Sequence, residues 1–181
     1  RINRVVRDIP TTNVVEGFKK ANLRQIVQER MKDEGLTCRC IRCREIRRRD
    51  VEPRHYALIT LPYETDATQE IFLSYESEDF IVGFLRLSLP KKDVRPPLPE
   101  LYDHAMIREV HIYGPALPVG FSSSGEAQHI GFGAQLINEA KRLAHQAGFK
   151  KMAVISAIGT LEYYARHEFD VDGLYMTCDL Q

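Results

Sequence analysis

Along the 181 residues, apolar side chains recur with two different periods, and the chain switches between them several times. From Gly131 onward they fall at Phe132, Leu136, Ile137, Ala140, Leu143 and Ala144, the rhythm of one buried helical stripe, and Gly148 supplies the stop. Lys141, Arg142 and Gln146 are expected mostly on the opposite, wet face. Upstream, residues 105–113 alternate as a strand ended by Gly114-Pro115. Residues 56–61, 69–75 and 80–89 read as three more strands, the last two joined over residues 76–79. Downstream, residues 152–157 form a short apolar run typical of a buried strand, 160–167 a short helix bearing Tyr163 and Tyr164, and 175–179 a last strand. In front, residues 13–20 and 22–34 read as helices. The second is capped by Asn22, stopped by Gly35, and turns Leu23, Ile26, Val27 and Met31 inward. Residues 38–49 form a basic connector, and 91–100 a proline-rich loop. The expected organisation is a helical, basic element over residues 1–54 and a mixed α/β domain over residues 55–181.

Composition narrows the class. Hydrophobic residues make up 44% of the chain, yet no apolar run approaches the ~20 residues of a membrane-spanning helix. This predicts a soluble globular protein, with no membrane partner and no signal peptide, and the four cysteines favour a reducing, cytoplasmic compartment. The chain begins with Arg1, which suggests a fragment of a longer protein. The net charge of zero hides an asymmetry: residues 1–54 hold 15 Lys and Arg against 8 Asp and Glu, and residues 55–181 hold 10 against 17. Arg39, Arg42, Arg44, Arg47, Arg48 and Arg49 crowd into eleven positions, dense enough to attract a polyanion through counterion release. A solvated face balancing the acidic domain is the alternative. With no aromatic among these arginines, phosphate contact is expected rather than base readout.

The start of the long helix carries chemistry. Gly131, Gly133 and Ala134 let the backbone of its first turn approach a ligand closely, where unpaired N–H groups and the positive end of the helix dipole favour phosphate oxygens. Glycines for tight strand-to-helix packing would look the same. The order around this turn decides between them: a strand, the loop Gln128-His129-Ile130-Gly131-Phe132-Gly133, a helix, a strand, a short tyrosine-bearing helix, a strand. The chain thereby resembles the GNAT acetyltransferase superfamily, whose loop reads Arg/Gln-x-x-Gly-x-Gly/Ala. Longer strings narrow the resemblance: Arg4-x-x-Arg7-Asp8-Ile9-Pro10, Phe72-Leu73-Ser74-Tyr75-Glu76, Arg108-Glu109-Val110-His111-Ile112-Tyr113-Gly114, Ala153-Val154-Ile155-Ser156 and Gly159-Thr160-x-x-Tyr163-Tyr164 look like the C-terminal half of the Elongator catalytic subunits.

That resemblance implies a GNAT acyl-CoA N-acyltransferase fold with a mixed, mostly antiparallel sheet. It also implies acetyl-CoA held by Glu109, Val110, His111 and Ile112 on a splayed strand, by Gln128, Ile130, Gly131, Phe132, Gly133 and Ala134 at the pyrophosphate, and by Tyr164. Tyr164, with Tyr163 next, is the implied acid for the departing thiolate. A phenol stays protonated at neutral pH, and neighbouring helix positions point about 100° apart, so one ring can face the thioester while the other packs. Glu109 is a candidate base or water-positioning group, with a structural ion pair as the alternative; strand alternation sends it and His111 to one face. The implied acceptor is tRNA, at the wobble uridine of the anticodon region. The implied co-reactants, S-adenosylmethionine and a 4Fe-4S cluster, belong to an upstream radical-SAM domain absent from these residues. A protein-lysine acetyltransferase and a non-catalytic acyl-CoA- or RNA-binding module are the other classes. Separately, Cys38-x-Cys40-x-x-Cys43 suggests zinc, because three thiolates on a tight loop fill three corners of a tetrahedron at ~2.3 Å. His55, another histidine, Cys178 or a residue from upstream is the candidate fourth ligand, and free thiols are the alternative.

Overall fold

A single seven-stranded sheet runs through the larger part of the structure, a computed structural model that describes residues 2–5, 8–47, 52–77, 80–96, 98–113 and 131–181. Arg48, Arg49, Glu78, Asp79, Gly114, Pro115, Gln128, His129 and Ile130 lie outside the described residues. The chain divides into two compact units, Arg1–Glu45 and Ile46–Gln181.

In the first unit, α1 (Leu23–Asp33) forms where the apolar spacing predicts it, with Leu23, Ile26, Val27 and Met31 half-buried. Asn22 occupies the capping position without bonding; the Arg24 N–H instead donates to Asp8 Oδ1 at 2.9 Å, so the first turn is capped from a distant part of the chain. Gly35, at φ 70°, ends the helix as expected. Residues 13–20 are not a helix: only a 3-10 turn at Thr11–Asn13 forms, and the following segment bends through Gly17 at φ 99°. A left-handed glycine interrupts the helix, and the segment buries too little apolar surface to offset that. A short α2 (Ile41–Arg44) follows, with Cys40 at its N-cap.

The second unit opens with Ile46, whose N–H bonds Ile81 O and whose side chain is buried with Val82 and Phe132. Strands β1 (Ala57–Glu64), β2 (Thr68–Glu76), β3 (Ile81–Pro90) and β4 (His104–Ile112) run antiparallel to their neighbours. Helix α3 (Phe132–Gln146) then crosses over to β5 (Lys151–Val154), which pairs with β4 in parallel. After α4 (Leu161–Ala165), β6 (Asp170–Asp172) and β7 (Tyr175–Asp179) complete the order β1-β2-β3-β4-β5-β7-β6. This is the mixed, mostly antiparallel sheet that the resemblance implies.

One sheet face packs on α3. Ile71, Leu73, Leu85, Leu87, Ala105 and Ile107 meet Leu136, Ile137, Ala140 and Ala144, and complete burial of Leu136 and Ile137 contributes on the order of 1.5–3 kcal/mol each. Two details depart from the expected pattern. Strand β5 stops at Val154, leaving Ile155 exposed, and Lys141 is not on the wet face: its Nζ donates to His167 O at 2.7 Å and contacts Glu168 Oε2 at 3.0 Å. Its long stem lets it reach round α3 and tie the helix to the turn before β6.

Candidate functional site

Strand β4 carries a one-residue irregularity that shapes what lies beside it. Leu87 pairs with Ile107, but the next pair is Arg86 with Glu109, so Arg108 is an extra residue in β4. The parallel ladder to β5 ends at the same point, with Ile107 opposite Val154. β4 continues to Ile112 beside β3, while among the described residues no strand pairing on its β5 side extends past Ile107. The Tyr113 N–H donates to Val82 O at 2.7 Å on the β3 side, so strand alternation turns the main-chain groups of Val110 and Ile112 away from β3. Their side chains pack on the α3-side core, leaving only the backbone to serve a ligand there.

The first turn of α3 lies beside the end of β4. Gly131 stands at φ 81°, a left-handed conformation that favours glycine, and forms the N-cap. Phe132 is buried, its ring 4.5 Å from that of Tyr75, so it offers a ligand its main chain alone. At Gly133 a Cβ would run into the Tyr163 hydroxyl and sit 3.5 Å from Ile112 Cγ1. Ala134 is half-buried on the same turn. Glycine at 133 is therefore what brings the phenol of α4, the first turn of α3 and the end of β4 together.

The two tyrosines occupy different surroundings. Tyr164 is 8% exposed and lies in the core with its ring edge-on to Phe169; burial, and then the charge of Tyr163, push its phenol up to about 12. Tyr163 is 36% exposed, flanked by His167 at 4.9 Å, and burial raises its phenol as well. Both hold their protons at neutral pH. The hydroxyl that reaches the first turn of α3 is that of Tyr163.

Glu109 and His111 share the opposite sheet face, with His111 Nε2 3.3 Å from Glu109 Oε2. The other Glu109 oxygen lies 3.5 Å from Arg86 Nη1, and Arg86 Nε lies 3.5 Å from Glu70 Oε2. The sequence reasoning missed Arg86 and Glu70. A lone arginine inside the otherwise apolar run of β3 was the signal that could have found the first. Away from this region, a cavity of about 630 Å³ is lined by Asn138, Lys141, His145, Lys151, Asp170 and Asp179, among others, and includes none of these groups.

In the first unit, the Cys38, Cys40 and Cys43 thiols lie within 4.8 Å of one another, an arrangement that could hold a metal ion. No fourth His, Cys, Asp or Glu joins them among the described residues. His55 sits 3.7 Å from Glu52, and Cys178 is buried on β7 with its thiol pushed up to about 11, chiefly by burial. At Cys40, burial raises the thiol, but hydrogen bonds from the Cys43 backbone and from the Cys38 and Cys43 thiols outweigh it and pull it down to about 7. Cys43 goes the other way, to about 11, through burial and through its bonds to the same two thiols. Cys43 Sγ accepts from the Arg24 guanidinium at 3.0 Å and from Gln28 Nε2 at 3.3 Å. Three thiols this close do not all ionise without a cation among them, so the donor set fits a thiophilic metal. Of the basic cluster, Arg39, Arg42 and Arg47 are exposed and Arg44 is half-buried, while Arg42 pairs with Glu45.

No protein-family profile matches the chain. Curated relatives do: it is 40% identical to Elongator complex protein 3 of Drosophila melanogaster across its full length and 34% of that protein. It is 39% identical to the tRNA uridine(34) acetyltransferase of Methanocaldococcus infernus, over 99% of this chain and 35% of that one. Among solved structures, the Methanocaldococcus infernus Elp3 with residues 1–46 deleted superposes with a TM-score of 0.77 at 36% identity, over 96% of this chain and 43% of that one. The chain spans about a third of the length of the curated relatives it matches. Shared sequence along nearly all of its residues and a shared fold make the chain similar to the C-terminal part of Elongator complex protein 3 and of the tRNA uridine(34) acetyltransferase.

Proposed function

We propose that this chain is an acetyl-CoA-dependent acetyltransferase unit of a tRNA wobble-uridine-modifying enzyme. In this reading it binds acetyl-CoA and hydrolyses it to supply the acetyl group for a C5 carboxymethyl-type modification. The modification itself requires a radical-SAM and iron–sulfur domain outside these residues. The observation that carries the reading is the end of the β4–β5 pairing at Ile107 and Val154, with β4 running on to Ile112 beside the glycine-built first turn of α3 and the Tyr163 hydroxyl. Relatives named tRNA uridine(34) acetyltransferase support the acceptor.

The pantetheine arm lies along β4, bonding the main chain of Val110 and Ile112, with the pyrophosphate on residues 128–134. A main-chain N–H of β4 polarises the thioester oxygen. Glu109 takes the proton of the attacking water as its oxygen bonds the carbonyl carbon. The C–S bond then breaks, and the thiolate takes the Tyr163 hydroxyl proton, giving acetate and free CoA; solvent returns the proton to the phenolate. Tyr164, on the next helix position, supports the Tyr163 ring from the core. Cys38, Cys40 and Cys43 hold zinc as a structural element of the first unit, and Arg39, Arg42, Arg44, Arg47, Arg48 and Arg49 contact tRNA phosphates without reading sequence. The proposed location is cytoplasmic. Among the described residues, no helix is long and apolar enough to cross a membrane.

Acetyl-CoA loss, measured with and without tRNA and with a lysine peptide, tests the proposal. Loss stimulated by tRNA is the expected result. Loss that requires peptide would make the protein a lysine acetyltransferase, and binding without loss a non-catalytic module.

A further inference from the structure

Two carboxylates and one guanidinium are lined up across three strands on the sheet face turned away from α3. Glu70 on β2 has a side chain only 6% exposed, between the exposed Gln69 and the buried Ile71, and its Oε1 accepts the Thr68 hydroxyl at 3.0 Å. Arg86 on β3 stands between Glu70 and Glu109, 3.5 Å from an oxygen of each. Glu109 on β4 is 19% exposed and touches His111, whose side chain is 53% exposed. Arg86 Nε is buried and makes no hydrogen bond among the described residues, so its hold on Glu70 is an ion pair without hydrogen-bond geometry.

Such a triad is a poor device for stability. Desolvating three charges costs more than loose contacts at this distance return, and apolar side chains of similar volume commonly do as well or better. Its effect on Glu109 is more specific. The extra residue Arg108 sets Glu109 directly opposite Arg86, where regular pairing would have set Arg108. The guanidinium holds one carboxylate oxygen, and the other lies beside His111, past the point where the β4–β5 pairing ends. Glu70, anchored by Thr68, shares the guanidinium with Glu109, so Arg86 is drawn from both sides rather than wholly onto Glu109.

We propose that Arg86 is a positioning residue for acetyl-CoA turnover, holding Glu109 with one oxygen toward the nucleophile, that buried Glu70 sets how tightly Arg86 grips it, and that His111 is the exit by which the proton reaches solvent. The proposal rests on the functional reading above, with Glu109 as the proton acceptor. In the hydrolytic step the proton leaves the attacking water for Glu109, then passes to His111 and to bulk water; no other reactant is needed.

The test compares Arg86→Met, Arg86→Lys and the double variant Glu70→Leu with Arg86→Met against the unaltered full protein, using acetyl-CoA as the probe in the presence of tRNA. Arg86→Met is expected to lower kcat at least tenfold while leaving KM for acetyl-CoA within twofold, and Arg86→Lys to recover part of the loss. The double variant is expected to melt no lower than the unaltered protein yet stay as slow as Arg86→Met. A folded Arg86→Met protein with unaltered kcat overturns the inference alone. So does a double variant whose melting temperature falls in step with its activity, since that marks a structural role. No acetyl-CoA turnover in the unaltered protein overturns the functional reading and this inference with it.

Discussion

Replacing Gly133 by alanine separates what the glycine does for the helix from what it does for the site. On helix propensity alone the change should stabilise α3 by about 1 kcal/mol, because glycine is the poorer helix former. The new Cβ, however, meets the Tyr163 hydroxyl and lies 3.5 Å from Ile112 Cγ1. The hydroxyl is the far end of a side chain 36% exposed, so it moves aside more cheaply than the backbone, at about 0.5–1.5 kcal/mol for an off-rotamer ring. The two contributions nearly cancel, and the melting temperature should move by less than about 4 °C. Activity should not survive so well. Displacement of the hydroxyl in its proposed acid role by about 1 Å costs on the order of 10²-fold, the lower end of what a positioned general acid supplies. Steady-state acetyl-CoA turnover by Gly133→Ala, Tyr163→Phe and the double variant forms a thermodynamic cycle. Each single change should lower kcat about 10²-fold, and the double variant should be no slower than either, since both remove one hydroxyl from one place. A rise in KM confined to Gly133→Ala would report the close approach of the pyrophosphate. Multiplicative losses in kcat, or full turnover in Tyr163→Phe, would refute the placement of the acid.

Two other outcomes follow from local surroundings. Protein purified without chelator should carry near-stoichiometric zinc by elemental analysis, and Cys43→Ala should lose it; metal-free protein would remove the zinc site. Because burial raises the Tyr164 phenol to about 12, the folded state keeps a proton that the unfolded state loses near 10, so this group's contribution is complete below ~10 and lost as pH rises toward 12. Alkaline denaturation should therefore steepen less over that window in Tyr164→Phe than in the unaltered protein, and equal slopes would contradict the burial of the hydroxyl.

The sequence was legible where one period dominated. The α3 stripe from Phe132 to Ala144 comes from the repeat that a single buried face imposes, the near-continuous apolar run of β3 from burial on both faces, and the stop at Gly35 from its left-handed backbone. Where no face is buried, there was little to read: β6 has three exposed residues, and residues 13–20 contain helix formers but nothing to pack them on. Which tyrosine lies nearer the first turn of α3 was unreadable for a different reason. Helix α4 is too short to show a stripe, and the choice between Tyr163 and Tyr164 depends on where it docks against Gly133 and Phe169. The chain from Glu70 through Arg86 to Glu109 joins residues on three strands, a relation set by register and invisible in local sequence.

The extra residue in β4 gives the sharpest test of how the fold opens its site. Regular pairing of all residues would place Arg108 opposite Arg86 and Glu109 opposite Leu85, turning Glu109 into the core and Val110 out of it. Accommodating Arg108 as a bulge avoids both, and the bulge coincides with the end of the β4–β5 ladder. Deleting Arg108 would leave Glu109 opposite Arg86 and Val110 opposite Leu85, so every later side chain keeps its face while the kink disappears. A straightened β4 can continue its parallel pairing with the segment after Val154 and cover the main chain of Val110 and Ile112. The deletion variant should thus fold with a melting temperature at or above that of the unaltered protein, yet bind acetyl-CoA at least tenfold more weakly by calorimetry. Arg108→Ala, which keeps the extra residue and removes only an exposed charge, should bind as before. A deletion variant with undiminished affinity would mean that the β4–β5 pairing ends for some reason other than the bulge, and the link between one inserted residue and the opening of the site would fall.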